Sequence, residues 1–243
     1  MKAVLGLDTA TVSTSVAVLS SCGAEVELRD DPEPGAPPRH AETLQPLLER
    51  ALEEAGMGWD EIGRICVGVG PGGFTGLRLG VATARALAQG RDLPLVGVSS
   101  LEALARGVEM VPSTEVEAPG HPDLHGPVLG VIDARRGEVF VAAYRHHRCI
   151  LEPVAITPAK LAERLAVRRE WGRTAMLAVG DGAVRFRSEL ERAGVAVPAD
   201  GSRAHRVSAL MVCRLGRARE PADRDTLLPD YRREPDAAPP QTN

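Results

Sequence analysis

The chain has 243 residues, 44% of them hydrophobic but only 3% aromatic, which is enough for a large core built from Val, Leu and Ala. Its net charge of -4 provides no long-range attraction for nucleic acid, so any RNA contact must come from a local patch or a partner. The cysteines Cys22, Cys66, Cys149 and Cys213 form no CxxC pair, which excludes a zinc knuckle and a disulfide framework.

The opening MKAVLGLDTA is broken by Asp8, too early for an export signal, and no apolar run reaches membrane-spanning length. A soluble, cytoplasmic protein is expected. Residues 2–8 and 14–20 read as strands of a hairpin with Asp8 at its turn, and 24–29 extends it. After a proline-rich loop, Leu44, Leu47, Leu48 and Leu52 recur at helical spacing, predicting an amphipathic helix from His40 to Ala55. Pro46 fits that helix only near its first turn.

Ile65 to Val69 reads as a buried strand, followed by the glycines Gly68, Gly70, Gly72, Gly73 and Gly76 and a helix from Gly76 to Gln89. The letters GVGPGG match a dinucleotide fingerprint, but no acidic residue ends the next strand to hold a ribose. Gly76-Leu77 stands where a Walker loop has Lys-Ser/Thr. The helix carries only Arg78 and Arg85 as charges, one seam two turns apart. Gly76, Gly80, Ala84 and Ala88 form a ridge of small residues, and a helix so apolar must be covered on nearly every side. It lies either between its sheet and another element of the chain, or between its sheet and a second subunit. The second reading makes Gly76, Leu77, Gly80, Val81, Ala84, Leu87 and Ala88 the contact residues, and the face around Leu79, Thr83 and Ala86 is the other candidate.

A strand at 95–98 and a short helix capped by Ser99 or Ser100 and ending near Gly107 close this half. Residues 112–127, with Pro112, Pro119, Pro122 and Pro127, read as a linker, and His121 and His125 within it are poor metal ligands off a helix. Beyond it come strands 128–132 and 138–144 around Asp133, a helix 158–167, a strand 176–179, helices 184–193 and 206–219, and a polar tail from 231 expected to be disordered. The expected division is a lobe 1–111, a linker 112–127, a lobe 128–230 whose last helix can pack back on the first, and the tail 231–243.

The halves echo each other. LGLDTATVSTSVAVLS and LGVIDARRGEVFVAAY both read strand, Asp, turn, strand, and VGVGPGGF and AVGDGAV follow in the same order. Such a duplication occurs in the actin-like ATPase fold, an α/β fold of two lobes with nucleotide in the cleft between them. Asp8, Thr9, Gly72, Gly73, Asp133 and Gly180 would be the cleft residues here, the two acids being placed to hold magnesium or a water. Asp is also simply a good turn residue.

GVGPGGFTGLRLGVATARALA, with LGLDTATVSTSVAVL, RHAETLQPLLE and DARRGEVFVAAY, closely resembles the bacterial TsaB (YeaZ) family from Met1 to about Ala237, where PDYRREPDA is similar to the family's closing segment. The resemblance implies an actin-like fold and a part in making N6-threonylcarbamoyladenosine at position 37 of tRNAs that read codons beginning with A. It implies a subunit that does not perform the transfer, pairs with the metal-binding paralogue TsaD, works with the ATPase TsaE and meets tRNA only indirectly. No cofactor or metal of its own is expected. TsaD-like proteins carry two metal-binding histidines four apart, whereas here His40 is followed at that spacing by Leu44. An actin-fold ATPase or phosphotransferase using Asp8 and Asp133 is the alternative, a glycoprotease-type metallopeptidase a third, and a homodimer in isolation remains open.

Overall fold

The computed structural model describes residues 2–33, 35–117, 126–167 and 176–232, apart from the side chains of 166 and 167. His121, His125 and the tail from 233 lie outside the described residues. The first half forms β1 (Ala3–Asp8), β2 (Thr14–Leu19), β3 (Glu25–Asp30), α1 (His40–Glu54), β4 (Ile62–Gly70), α2 (Phe74–Gly90), β5 (Leu95–Ser99) and α3 (Ser100–Gly107). A short helix α4 (Ser113–Val116) follows, then β6 (Val128–Arg135), β7 (Glu138–Arg145), β8 (Arg148–Ile156), α5 (Pro158–Val167), β9 (Met176–Val179), α6 (Asp181–Arg185), α7 (Arg187–Arg192), β10 (Val195–Ala196) and α8 (Ala209–Gly216).

The strands make two sheets, ordered β3-β2-β1-β4-β5 and β10-β9-β6-β7-β8. Each has an antiparallel hairpin pair joined to parallel strands, so the second sheet repeats the first strand for strand. This is the two-lobed α/β arrangement of the actin-like fold. All of β1 and β2 is buried, as suits strands covered on both faces.

Three apolar clusters result. One lies outside the first sheet under α1 and α2, and one outside the second under α5 and α7. The third fills the space between the sheets, where α3 and α8 are layered. These two helices cross over: α3 packs on β6 and β7 of the second sheet, and α8 packs on β1 and β2 of the first. Gly6 and Gly130, at matching places on the two central strands, permit the approach. A Cβ on Gly6 would stand 2.7 Å from Ala209 O and 2.5 Å from Cys213 Sγ, and one on Gly130 would stand 2.5 Å from Leu101 O.

Several elements differ from the sequence reading. β8 is new; Pro153 and Glu152 break its alternation, and only an edge position tolerates them. The helix expected over 184–193 is two, α6 and α7, separated at Phe186 with φ -111° and ψ 31°. The last helix is shorter than expected because Ser208 Oγ accepts a bond from Met211 N and starts it late. Pro46 sits in the second turn of α1, on its exposed side. The first part of the expected linker is ordered: Val116 is buried, and Glu115 pairs with Arg203 at 2.7 Å. Among the described residues no helix is long and apolar enough to cross a membrane.

The glycine contact makes a direct prediction. Gly6→Val should destabilise the protein by about 3 kcal/mol, because backbone atoms of α8 cannot move aside without opening the central layer. Urea unfolding followed by circular dichroism measures it, and a loss under about 1 kcal/mol would show that α8 is not held against β1 in this way.

Candidate functional site: the cleft between the lobes and the outer face of α2

A cleft of about 270 Å³ opens between the lobes. Its walls are the β1–β2 turn at Ala10 to Val12, the glycine loop and first turn of α2 from Gly72 to Gly76, and the end of β6 from Ile132 to Arg135. His40, Phe140 and Asp181 line it as well, and Asp230, Tyr231 and Arg232 stand at its rim.

Of the residues expected here, Gly72, Gly73 and Asp133 line the cleft, while Asp8, Thr9 and Gly180 do not. Asp8 is 1% exposed and lies under Gly68. Its Oδ1 accepts from Ala10 N at 2.9 Å and its Oδ2 from Ser100 Oγ at 2.6 Å. Burial pushes its pKa above the ordinary carboxylate range, against the lowering effect of those bonds. Thr9 Oγ1 donates to Gly76 O at 2.8 Å and fastens the turn to α2. Gly180, at φ 118°, turns the chain from β9 into α6, and its N donates to His205 Nδ1 at 3.1 Å.

Asp133 is held by its own lobe. Arg185 Nη1 lies 2.6 Å and Arg135 Nη1 3.6 Å from its Oδ2, and Oδ1 accepts from Arg135 N at 2.9 Å. Asp181 is displaced upward in pKa chiefly by burial, and its Oδ1 accepts from the Asp133 and Gly182 amides at 3.0 and 2.8 Å. The two acids expected to hold magnesium or a water are therefore each engaged within their own lobe.

The His40 imidazole bonds Thr14 Oγ1 through Nδ1 at 2.8 Å, and burial lowers its pKa, which favours the neutral ring. Leu44, four residues on, is 3% exposed in the core beneath α1. No group of three His, Cys, Asp or Glu side chains is placed to hold a metal among the described residues. With Asp8 turned into the interior, the cleft does not fit a magnesium-bound nucleotide either: its cations Arg135 and Arg232 face the acids Asp133, Asp181 and Asp230.

The glycine loop serves α2. The Gly73 amide donates to Ala10 O at 2.7 Å, and Gly76 and Gly80 receive the carbonyl and hydroxyl of Thr9. The ridge expected to meet a partner is thus packed on the chain's own sheet: Gly76, Leu77, Gly80, Val81, Ala84 and Ala88 are buried, and Leu87 is half-buried. The physical reason is the Thr9 turn, which needs glycines to come so close. On the side of α2 away from the ridge, Thr75, Ala82 and Ala86 are exposed and Leu79 and Thr83 half-buried, a stripe without charge bordered by the exposed Arg78.

The flank carrying Arg78 and Arg85 is bonded by the chain itself, with Arg85 half-buried and Arg78 still exposed. Arg85 Nη2 donates to Asp225 O at 2.7 Å, and Arg78 Nε donates to the Tyr231 hydroxyl at 3.1 Å. Arg78 also stacks 4.0 Å from the Phe74 ring, which lies 5.2 Å from that of Tyr231. Sequence reasoning passed over Phe74 and Tyr231 as site residues. The paired arginines on an apolar helix were the available signal, since each needed a partner.

A family model described as TsaD, tRNA N6-adenosine threonylcarbamoyltransferase, matches residues 32–179, more than half of the chain. The chain is 34% identical over 144 residues to the tRNA threonylcarbamoyladenosine biosynthesis protein TsaB of Escherichia coli K12, covering 58% of this chain and 54% of that protein. It is 29% identical over 195 residues to TsaB of Bacillus subtilis 168, covering 80% of each. The match thus spans about half the length of the first relative and four-fifths of the second. A Pseudomonas aeruginosa crystal structure described as similar to peptidase YEAZ superposes with a TM-score of 0.76 at 26% identity, over 96% of this chain and 100% of that one.

Asp8 offers a pH test. A carboxyl whose pKa is raised by folding contributes most below its unfolded value of 3.8, and that contribution is lost as pH rises through the folded value. Asp8→Asn keeps the Ala10 acceptor and removes the buried charge. The variant should gain stability relative to wild type as pH rises from about 4 to 8. Urea midpoints across that range measure the difference, and a variant that loses ground as pH rises would show that Asp8 is a stabilised anion.

Proposed function

The chain belongs to the family that the TsaD model describes, with TsaB (YeaZ) proteins as its relatives, and from that premise we propose that it is the activating, non-catalytic subunit of a threonylcarbamoyl-transfer complex. The reaction served is modification of adenosine 37 in tRNAs that read codons beginning with A. The transfer itself belongs to a TsaD-like partner. A TsaE-like ATPase joins through the complex, and tRNA is met through the partner.

The observation that carries this reading is the state of Asp8. An acid that holds a metal or aligns water must face the substrate and stay ionised. Asp8 is sealed under β4, bonded to Ser100 and Ala10, and pushed toward the neutral form. Asp133 is neutralised by Arg185, and His40 has Leu44 where a second imidazole would have to stand. The uncharged outer face of α2 is what remains to do work. Small side chains there allow another helix to approach closely, and burying Leu79, Ala82, Thr83 and Ala86 leaves no unpaired charge.

Reconstitution tests both halves. With the TsaD-like and TsaE-like proteins of the same organism, Asp8→Asn and Asp133→Asn should leave formation of the modified base within a few-fold of wild type. A loss of about a thousand-fold with pairing intact would place an active site in this chain.

Ala86→Arg, on the exposed side of α2, should leave a folded protein and weaken pairing by about a hundred-fold or more, because a guanidinium would be trapped unpaired at a close crossing. Ala84→Arg, at a residue fully buried on the sheet, should unfold the chain instead. Circular dichroism with titration calorimetry separates the two outcomes. Undiminished pairing by Ala86→Arg would remove α2 from the interface.

A further inference from the structure

After α8 the chain returns to the first lobe and runs along α2. Ala222 N donates to Leu95 O at 2.8 Å on the free edge of the first sheet, and Arg224 bonds Ala88 O at 3.0 Å and Asp92 at 2.9 Å beyond the end of α2. Asp225 meets Arg85, Leu227 lies over Gly97, Asp230 N donates to Val69 O at 2.7 Å, and Tyr231 meets Arg78. The contacts follow α2 from its last turn to its first. Arg232 then reaches Pro153 O of β8 at 3.2 Å, in the second lobe.

Two apolar side chains of this strap stay exposed, Leu228 outright and Tyr231 on the part of its ring not stacked on Phe74. Leu228 is 65% exposed and Tyr231 43% exposed, and they are the exposed large hydrophobics among the described residues. A strap that serves only to cover a sheet edge would turn its apolar side chains toward the core, as Leu227 does. Leu228 lies in the chain between Asp225 and Tyr231, the residues that grip Arg85 and Arg78 of α2.

We propose that residues 222–232 form one side of the surface that receives the TsaD-like partner, with Leu228 and Tyr231 as its apolar anchors; this rests on the pairing reading above. The strap runs alongside α2 and is fastened to it at Arg78 and Arg85, so a partner seated on the outer face of α2 borders the strap at that flank. Those same contacts decide the chemistry of the occupant. Arg78 and Arg85 are held in fixed directions by Tyr231 and Asp225 O, Arg224 is paired with Asp92, and the side chains the strap itself leaves outward, Leu228 and Tyr231, offer apolar area rather than the row of mobile cations that a phosphate backbone recruits. An aromatic and a leucine beside a close-packing helix are the anchors that a protein surface of matching apolar character buries.

The test measures pairing of the purified chain with the TsaD-like protein of the same organism by titration calorimetry, for wild type, Leu228→Asp, Tyr231→Ala and Ala86→Arg. Sedimentation of each variant alone gives its self-association. Leu228 is largely solvent-facing in the free protein, so Leu228→Asp should keep the wild-type circular dichroism and melting temperature, and pairing should weaken about tenfold or more. Tyr231→Ala should weaken it similarly. If Ala86→Arg abolishes pairing while both strap variants bind like wild type, the strap proposal falls and the pairing reading stands. If Ala86→Arg also binds like wild type, the α2 reading falls and this proposal with it. Strap variants that change only self-association would assign the patch to a second copy of the chain and overturn the proposal.

Discussion

Each of the two sheets depends on a helix supplied by the other half of the chain, and each central strand carries a glycine where that helix lands. At Gly6 the backbone of α8 comes within a distance that no Cβ allows, and at Gly130 that of α3 does. Neither sheet has its inner face covered until both crossings are made. α8 is also held at its ends by first-lobe side chains that match its dipole. Glu27 accepts from Ser208 Oγ at 3.0 Å and Ala209 N at 2.8 Å, and Arg64 donates to the carbonyls of Gly216, Arg217 and Arg219 at 2.8, 3.0 and 2.9 Å. A carboxylate at the start and a guanidinium at the end satisfy backbone groups that eight residues of helix leave open.

The cleft inherits its character from this exchange. α3 must leave β5 at Ser99 and turn inward to reach β6, and that turn carries Ser100 to Asp8. A carboxylate in such a place is costly as an anion, and two hydrogen bonds offset only part of the desolvation. The acid of the second half stands three residues after Gly130, where Asp8 stands two after Gly6, and so occupies a different place on its strand. Asp133 stays at the cleft wall, where Arg185 and Arg135 reach it. One hairpin turn therefore holds an acid sealed against a serine, and the other an acid paired with arginines at the cleft wall.

Helix α2 is surrounded in three different ways. Its inner ridge accepts Thr9 and the first sheet, its arginine flank is bonded by the returning strap while Arg78 stays exposed, and the stripe Thr75, Leu79, Ala82, Thr83 and Ala86 carries no charge. The glycine loop belongs to the same economy of space: it lets β1 and α2 touch.

Much of this was legible in the sequence. Alternation and Asp-centred turns gave the first three strands, helical spacing of Leu44, Leu47, Leu48 and Leu52 gave α1, and the echo of LGLD in LGVID gave two sheets of one topology. The absence of a Walker lysine and of a second histidine near His40 could also be read directly, because chemistry that needs a residue type at a spacing fails when the type is missing. Edge strand β8 was hidden, since Pro153 and Glu152 obey no alternation when one side of a strand has no neighbour. The faces of α2 were hidden for a different reason. Composition showed that it must be covered nearly all round, but Gly80 meeting Thr9, and Arg78 meeting Tyr231 across 153 residues of chain, are contacts between segments that local pattern does not connect. Whether Asp8 faces a ligand or a serine was settled the same way. Periodicity fixes which residues share a face, and only the packing of distant segments decides what that face meets.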